Sequence, residues 1–472
     1  MWFLLAACKD DDARSDSGAT GPDTDTDSDT HSGPLDEVGA LEAAGFVVGE
    51  GAFVFSDMSG CCGPDAQCWG NNPSTPYGTP TLPLGPTQVA EAAVDVAADF
   101  GPIPFGMART FHLRPDEAFV TLGVMPPTSR YFSYRSYLAD RPGLGHSIVG
   151  SLGPSLNHQV IEAARGGGPV WGEPVAIVTS LDASIEQSVH EALITAGWDP
   201  SHIHDDRITG SVVRPGLEAE ADTFFVLVRN GVFDDAEAGA AYRAEPPLRV
   251  LRVTPQVEQA WDEPWPWPVL PARGTGAGED PELLAARDAM VDAVLATWPD
   301  RSPFPVEPYP YWLETVQCVQ DELNCAGDNR DRFAAITPAF VLREDEALVM
   351  VGVNHEQTGK ASYSSASVQT IESQRGIQAF ESPDMPGSAS WLVPGHPRLG
   401  ELYAWIVARD CSAWPAPCAE VPYDCPGVPA DEELKITVRA YLEPSTGAAP
   451  LPEELVLDTA IKLFAPSSSV TP

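Results

Sequence analysis

The sequence predicts an α+β protein of two tandem domains of similar topology, an internal duplication with mixed or antiparallel sheets, helices packed on them and disulfides as staples. Three observations carry this. Two segments match without a gap at an offset of 229 residues. Short β-branched and aromatic runs alternate with capped amphipathic stretches in both halves. Nine cysteines occur in a chain of 472 residues, which is long enough for two full cores.

The repeat runs from Phe111 to Val124 and again from Phe340 to Val353, with nine of fourteen paired positions identical. Arg114, Asp116 and Glu117 mark a turn in the first copy, and Arg343, Asp345 and Glu346 mark it in the second. Apolar β-formers follow, so a strand–turn–strand unit is predicted. Ser133-Tyr134 and Ser362-Tyr363 keep the same offset. In copy one, 174–179 reads as a buried strand. Asp182 caps a helix over 183–196 and Gly197 closes it. In copy two, Leu399, Leu402, Tyr403 and Ile406 form a helical stripe over 398–410. The strand at 224–229 corresponds to one at 434–439. Asp280 and Pro281 open a helix with Leu284, Val291, Leu295 and Trp298 on its buried side. The organisation read from this is a signal remnant at 1–8, an acidic tether at 9–40, copy one at 41–250, a Trp/Pro/Gly-rich linker at 251–280 and copy two at 281–472.

Acidic residues number 68 against 27 basic ones, a net charge of −41. Phosphate contact needs clustered Lys and Arg, so nucleic acid is excluded as a partner. The Asp-rich stretch after Lys9 buries no apolar area and repels itself, which makes it a tether. Leu5-Ala6-Ala7-Cys8 ends an apolar run and resembles the lipobox of bacterial lipoproteins. That resemblance implies lipidation at Cys8, a membrane partner through the N-terminal lipid, and a place in the bacterial cell envelope outside the cytoplasm.

Removing Cys8 leaves Cys61, Cys62, Cys68, Cys318, Cys325, Cys411, Cys418 and Cys425. An even count in an exported chain reads as disulfides. They cluster as three, two and three, so full pairing requires a bond that leaves the 61–68 cluster. No CxxC spacing supports zinc at these thiols.

Chemistry has several candidate seats. After the shared strand, copy two carries Asn354, His355, Glu356 and Lys360 where copy one has a bland loop. His355 suits a base, Glu356 an acid and Lys360 an anion contact; the same residues also read as a solvated turn. Arg130, Tyr131 and Tyr134 lie in a strand whose alternation places Tyr131, Ser133, Arg135 and Tyr137 on one face, a surface suited to sugar rings or to packing. Asp321, Asp328, Asn329 and Asp331 gather hard oxygens beside Cys318 and Cys325, and calcium is the one cofactor they suggest. Gly327-Asp328-Asn329-Arg330 resembles a signal-peptidase box over a few residues, without its Ser and Lys partners. His202, His204 and Asp206 follow Pro200 and read as a wet loop with metal-ligand types. No P-loop, dinucleotide fingerprint or HExxH is present. The role expected is a lipid-anchored envelope protein binding a cell-wall, glycan or protein ligand. The alternatives are an extracytoplasmic hydrolase centred on His355 and a purely structural surface protein.

Overall fold

The computed structural model describes residues 36–57, 72–85, 88, 103–299, 301, 303–308, 316–414, 417–424 and 427–464. Cys8 with its lipobox, most of the tether, and Cys61, Cys62, Cys68 and Cys425 lie outside these residues. The fold is α+β, mostly sheet with few helices.

In the first half, the ten-residue strand Phe46–Phe55 serves two layers. Its first part pairs with Leu248–Pro255, and the layer continues through Ala118–Val124, Pro174–Ser180 and the parallel edge strand Ile203–Arg207. Its second part pairs with Tyr77–Pro83, and that layer continues through Thr223–Asn230 and Phe132–Asp140. In the second half, one layer runs Pro303–Pro305, Thr459–Phe464, Glu346–Val353, Leu402–Ala408 and the parallel edge strand Cys418–Glu420. The other runs Glu307–Pro308, Arg332–Ile336, Leu434–Tyr441, Tyr363–Thr370 and Gly376–Glu381.

Alternation along the repeated strand explains its burial on both faces. Phe119 points between the two layers, as does Leu348 in the second half. Ala118, Val120 and Leu122 face outward beneath the helix Ala183–Thr195, and Ala347, Val349 and Val351 face outward beneath Pro281–Thr297. Before each strand the chain makes one antiparallel bridge, Phe111 to Phe224 and Phe340 to Leu434. The turn is closed identically. Glu117 accepts from the Arg114 amide and Glu346 from the Arg343 amide. Glu117 then pairs with Arg252 at 2.7 Å, and Glu346 with Lys462 at 2.9 Å.

Several sequence expectations are met. Asp182 caps Ala183–Thr195 through the Ser184 amide, and Gly197 takes φ +100°. Asp280 caps Pro281–Thr297. Cys318–Cys325 and Cys411–Cys418 sit at disulfide distance.

Others are corrected. The stretch 398–410 is not a helix: Leu402–Ala408 is a strand between two neighbours, and burial on both faces gave its apolar run. The fully buried line of Pro281–Thr297 is Leu283, Ala286, Met290 and Val294; of the expected stripe, Val291, Leu295 and Trp298 pack beside it partly buried and Leu284 is exposed. Small Ala286 lets that face approach the sheet. Residues 203–207 form a strand with His204 and Asp206 buried, not a wet loop. Ser133 stands opposite Arg229, and Ser365 opposite Arg439, so Ser365 rather than Ser362 occupies the matching register. The polar loop at 354–360 absorbs the three residues.

The two carboxylates predict different costs. Glu117 is fully buried and also holds Thr254 at 2.6 Å. Glu117→Ala leaves Arg252 uncompensated in the core and should cost about 3–5 kcal/mol in urea unfolding. Glu346→Ala leaves only the partly exposed Lys462, which water can solvate, so loss of that ion pair should cost about 1 kcal/mol or less. Equal costs would refute this reading.

Candidate functional site

Several candidate residues from both halves meet at the seam between them. Tyr131, just before Phe132–Asp140, reaches across and donates to Asp331 at 2.8 Å. Asn157 donates to the other oxygen of Asp331 at 3.2 Å. The alternation predicted for this strand continues the pattern. Arg135 donates to Ser151 and Ser155 and reaches Asn329 at 3.4 Å, and Tyr137 donates to the Asp328 carbonyl at 3.0 Å. Asp328 accepts from both the amide and the hydroxyl of Ser151. Burial raises the Asp331 carboxyl above its usual range, against the pull of Arg135 and Tyr131. Asp328, Asn329 and Asp331 are therefore the second half's plug in the first half, their oxygens already held by protein donors. Asp321 lies apart on the surface with Gln317.

Behind this plug stands a column of rings. Tyr131 and Tyr441 centroids are 4.6 Å apart, and Tyr441 stacks on Tyr363 at 5.3 Å. Arg229 lies over the Tyr77 ring and bonds the Tyr137 hydroxyl at 3.1 Å. Arg439 donates to Ser367 at 2.6 Å. Asn72 of the first half leans toward Tyr363 and Ser365 of the second. Tyr363 donates to Glu381, whose carboxyl burial pushes up to about 7. Tyr134 lies elsewhere, between the layers of the first half, bonded to Thr121 and Thr179. Arg130 bridges Asp234 and Glu356 across the seam.

The predicted catalytic trio does not converge. His355 Nδ1 is paired with Glu279 at 2.8 Å. Glu356 accepts from Ser382. Lys360 donates to the Ala277 carbonyl, Glu443 and Glu454 at 2.7, 2.7 and 3.1 Å. Asn354 holds the Ser382 carbonyl at 2.8 Å. His355, Thr358 and Lys360 of the polar loop thus fasten residues 275–279 to the second half. Burial opposes charge on His355, but Glu279 outweighs it and raises the imidazole; burial pushes the nearby Asp458 carboxyl up to about 6. Beside them is a cavity of about 10 Å³ lined by His355, Ser364, Ser365, Tyr403, Arg439 and Asp458. It has room for a single water, not for a substrate. Sequence reasoning missed Glu279, Asp458 and Glu381 because each acquires meaning only from partners distant in the chain.

No family model matches the chain, and no curated protein matches it. Among solved structures, an uncharacterized protein from Burkholderia cenocepacia aligns with TM-score 0.39 and 14% identity over 90% of this chain and 86% of that one. A protein from Vibrio parahaemolyticus aligns with TM-score 0.33 and 10% identity over 75% of this chain and 88% of that one. Likenesses of this strength assign no function. Among the described residues, no helix is long and apolar enough to cross a membrane.

Glu381 supplies a pH test. Its carboxyl stands near 4.5 when unfolded and about 7 when folded. Between those values the folded chain holds a proton that the unfolded chain has released, so stability falls as pH rises through the window. Glu381→Gln removes that dependence. Relative to the native protein, it should gain about 3 kcal/mol between pH ~4.5 and ~8. A difference in unfolding free energy that stays flat across the window would refute the assignment.

Proposed function

We propose that this chain is an exported, lipid-anchored protein of the bacterial cell envelope, whose duplicated body binds a cell-wall, glycan or protein ligand rather than performing hydrolysis. The observation that carries the reading is the disulfide pairing of Cys318 with Cys325 and Cys411 with Cys418, bonds that persist in oxidising compartments. The lipobox Leu5-Ala6-Ala7-Cys8 and the acidic tether after it agree with that address. Four cysteines remain, Cys61, Cys62, Cys68 and Cys425, and their parity asks for one bond from Cys425 to the 61–68 cluster.

The reading of duplication draws support from register as well as from sequence. Each half places its repeated strand between matching antiparallel neighbours and ends that layer in a parallel edge strand. The hydrolase reading loses its footing at His355, Glu356 and Lys360: His355 and Lys360 hold residues 275–279, while Glu356 is engaged by Ser382 and Arg130.

Labelling with radioactive palmitate in a bacterial host tests the address. The native chain should take up label and sediment with membranes, and Cys8→Ala should do neither. Unlabelled native protein in the cytosol would overturn the proposal. Peptide mapping without reductant should find Cys425 joined to Cys61, Cys62 or Cys68.

A further inference from the structure

We propose that Glu186, His190 and Asp205 form a site for a divalent first-row transition metal of the Zn²⁺ class, which clamps the edge strand Ile203–Arg207 to the helix Ala183–Thr195. Glu186 and His190 are four residues apart and share one helix face. Asp205 projects toward them from the strand, on the side opposite the buried His204 and Asp206. One ligand atom from each of the three lies within 4.8 Å of the others. His190 Nε2 and Asp205 Oδ1 are 2.6 Å apart. An ion needs ligands at about 2.0–2.2 Å, so the His190–Asp205 hydrogen bond opens and the three side chains rotate slightly to receive it. One imidazole with two carboxylates suits Zn²⁺ or its neighbours, whereas calcium takes six to eight oxygens.

A cation already stands there. Arg207 donates to Glu186 at 2.8 and 3.1 Å and to Asp205 at 2.9 Å. Its guanidinium lies over the Trp265 ring at 4.1 Å. The arginine side chain is 46% exposed, so it can leave toward solvent without unpacking the core. Ion and guanidinium therefore compete for the same two carboxylates.

The second half supplies an independent reason for a clamp at this place. Asp205 stands opposite Val178, and Cys418 opposite Ile406. Val178 and Ile406 each lie two residues before the strand position that faces Ala118 or Ala347, the matched pair of the repeat. Cys418 thus occupies the register of Asp205, and its disulfide to Cys411 ties that edge strand back. The first half has no cysteine there. It has metal-ligating side chains instead.

The test uses the full oxidised protein, stripped with EDTA and with any free thiols alkylated, titrated with ZnCl₂ against a chromophoric chelator. A single saturable Zn²⁺ per chain is expected. His190→Ala and Asp205→Asn should each weaken it about tenfold or more, while Arg207→Gln should tighten it. X-ray absorption should show a nitrogen and oxygen shell without sulfur. Absence of saturable binding overturns the proposal, as does equal affinity in His190→Ala or a sulfur shell. Asp205→Asn is nearly isosteric and serves if His190→Ala does not fold.

Discussion

The structure turns on a solvation constraint at the seam. Asp328 and Asp331 are buried carboxylates, and a buried charge without donors is costly. Their donors, Ser151, Tyr131 and Asn157, all belong to the first half. Neither side satisfies its polar groups alone. The two halves are therefore welded by hydrogen-bond accounting as much as by the Tyr131, Tyr363 and Tyr441 rings. This explains why a face of tyrosines, serines and an arginine is not a surface for sugars: its hydroxyls are spent within the chain.

Much of the fold was legible because its signals are local. Caps at Asp182 and Asp280 follow from side-chain chemistry within three residues. The repeated strand was visible because burial on both faces leaves little freedom at its apolar positions. Failures came where two structures share one pattern. Leu402–Ala408 is apolar throughout, and a short apolar run cannot be told from a buried helix by period. The match of Ser133 to Ser362 is off by three residues, since only the cross-strand partners Arg229 and Arg439 fix it.

The site was less legible, for a physical reason. His355, Glu356 and Lys360 look available in sequence because their partners Glu279, Ser382, Glu443 and Glu454 are far along the chain. A polar loop after a repeated strand signals either a reaction centre or a clasp, and the residue types are the same. The distinction lies in whether the groups face one empty volume or several filled ones. Here they face several.

The Cys318–Cys325 loop has one more consequence. Cys318, Val319 and Cys325 pack in the core of the first half, and the Cys325 amide bonds the Ile148 carbonyl at 2.7 Å. A ribosome that has delivered everything through Pro255, the last strand of that half, has not yet delivered its filling. The first half waits, with Gly150 and its neighbours uncovered, until a segment some sixty residues downstream emerges, about 3–12 s later at ordinary synthesis rates. The nascent chain therefore has a built-in interval in which the core of its first half is incomplete.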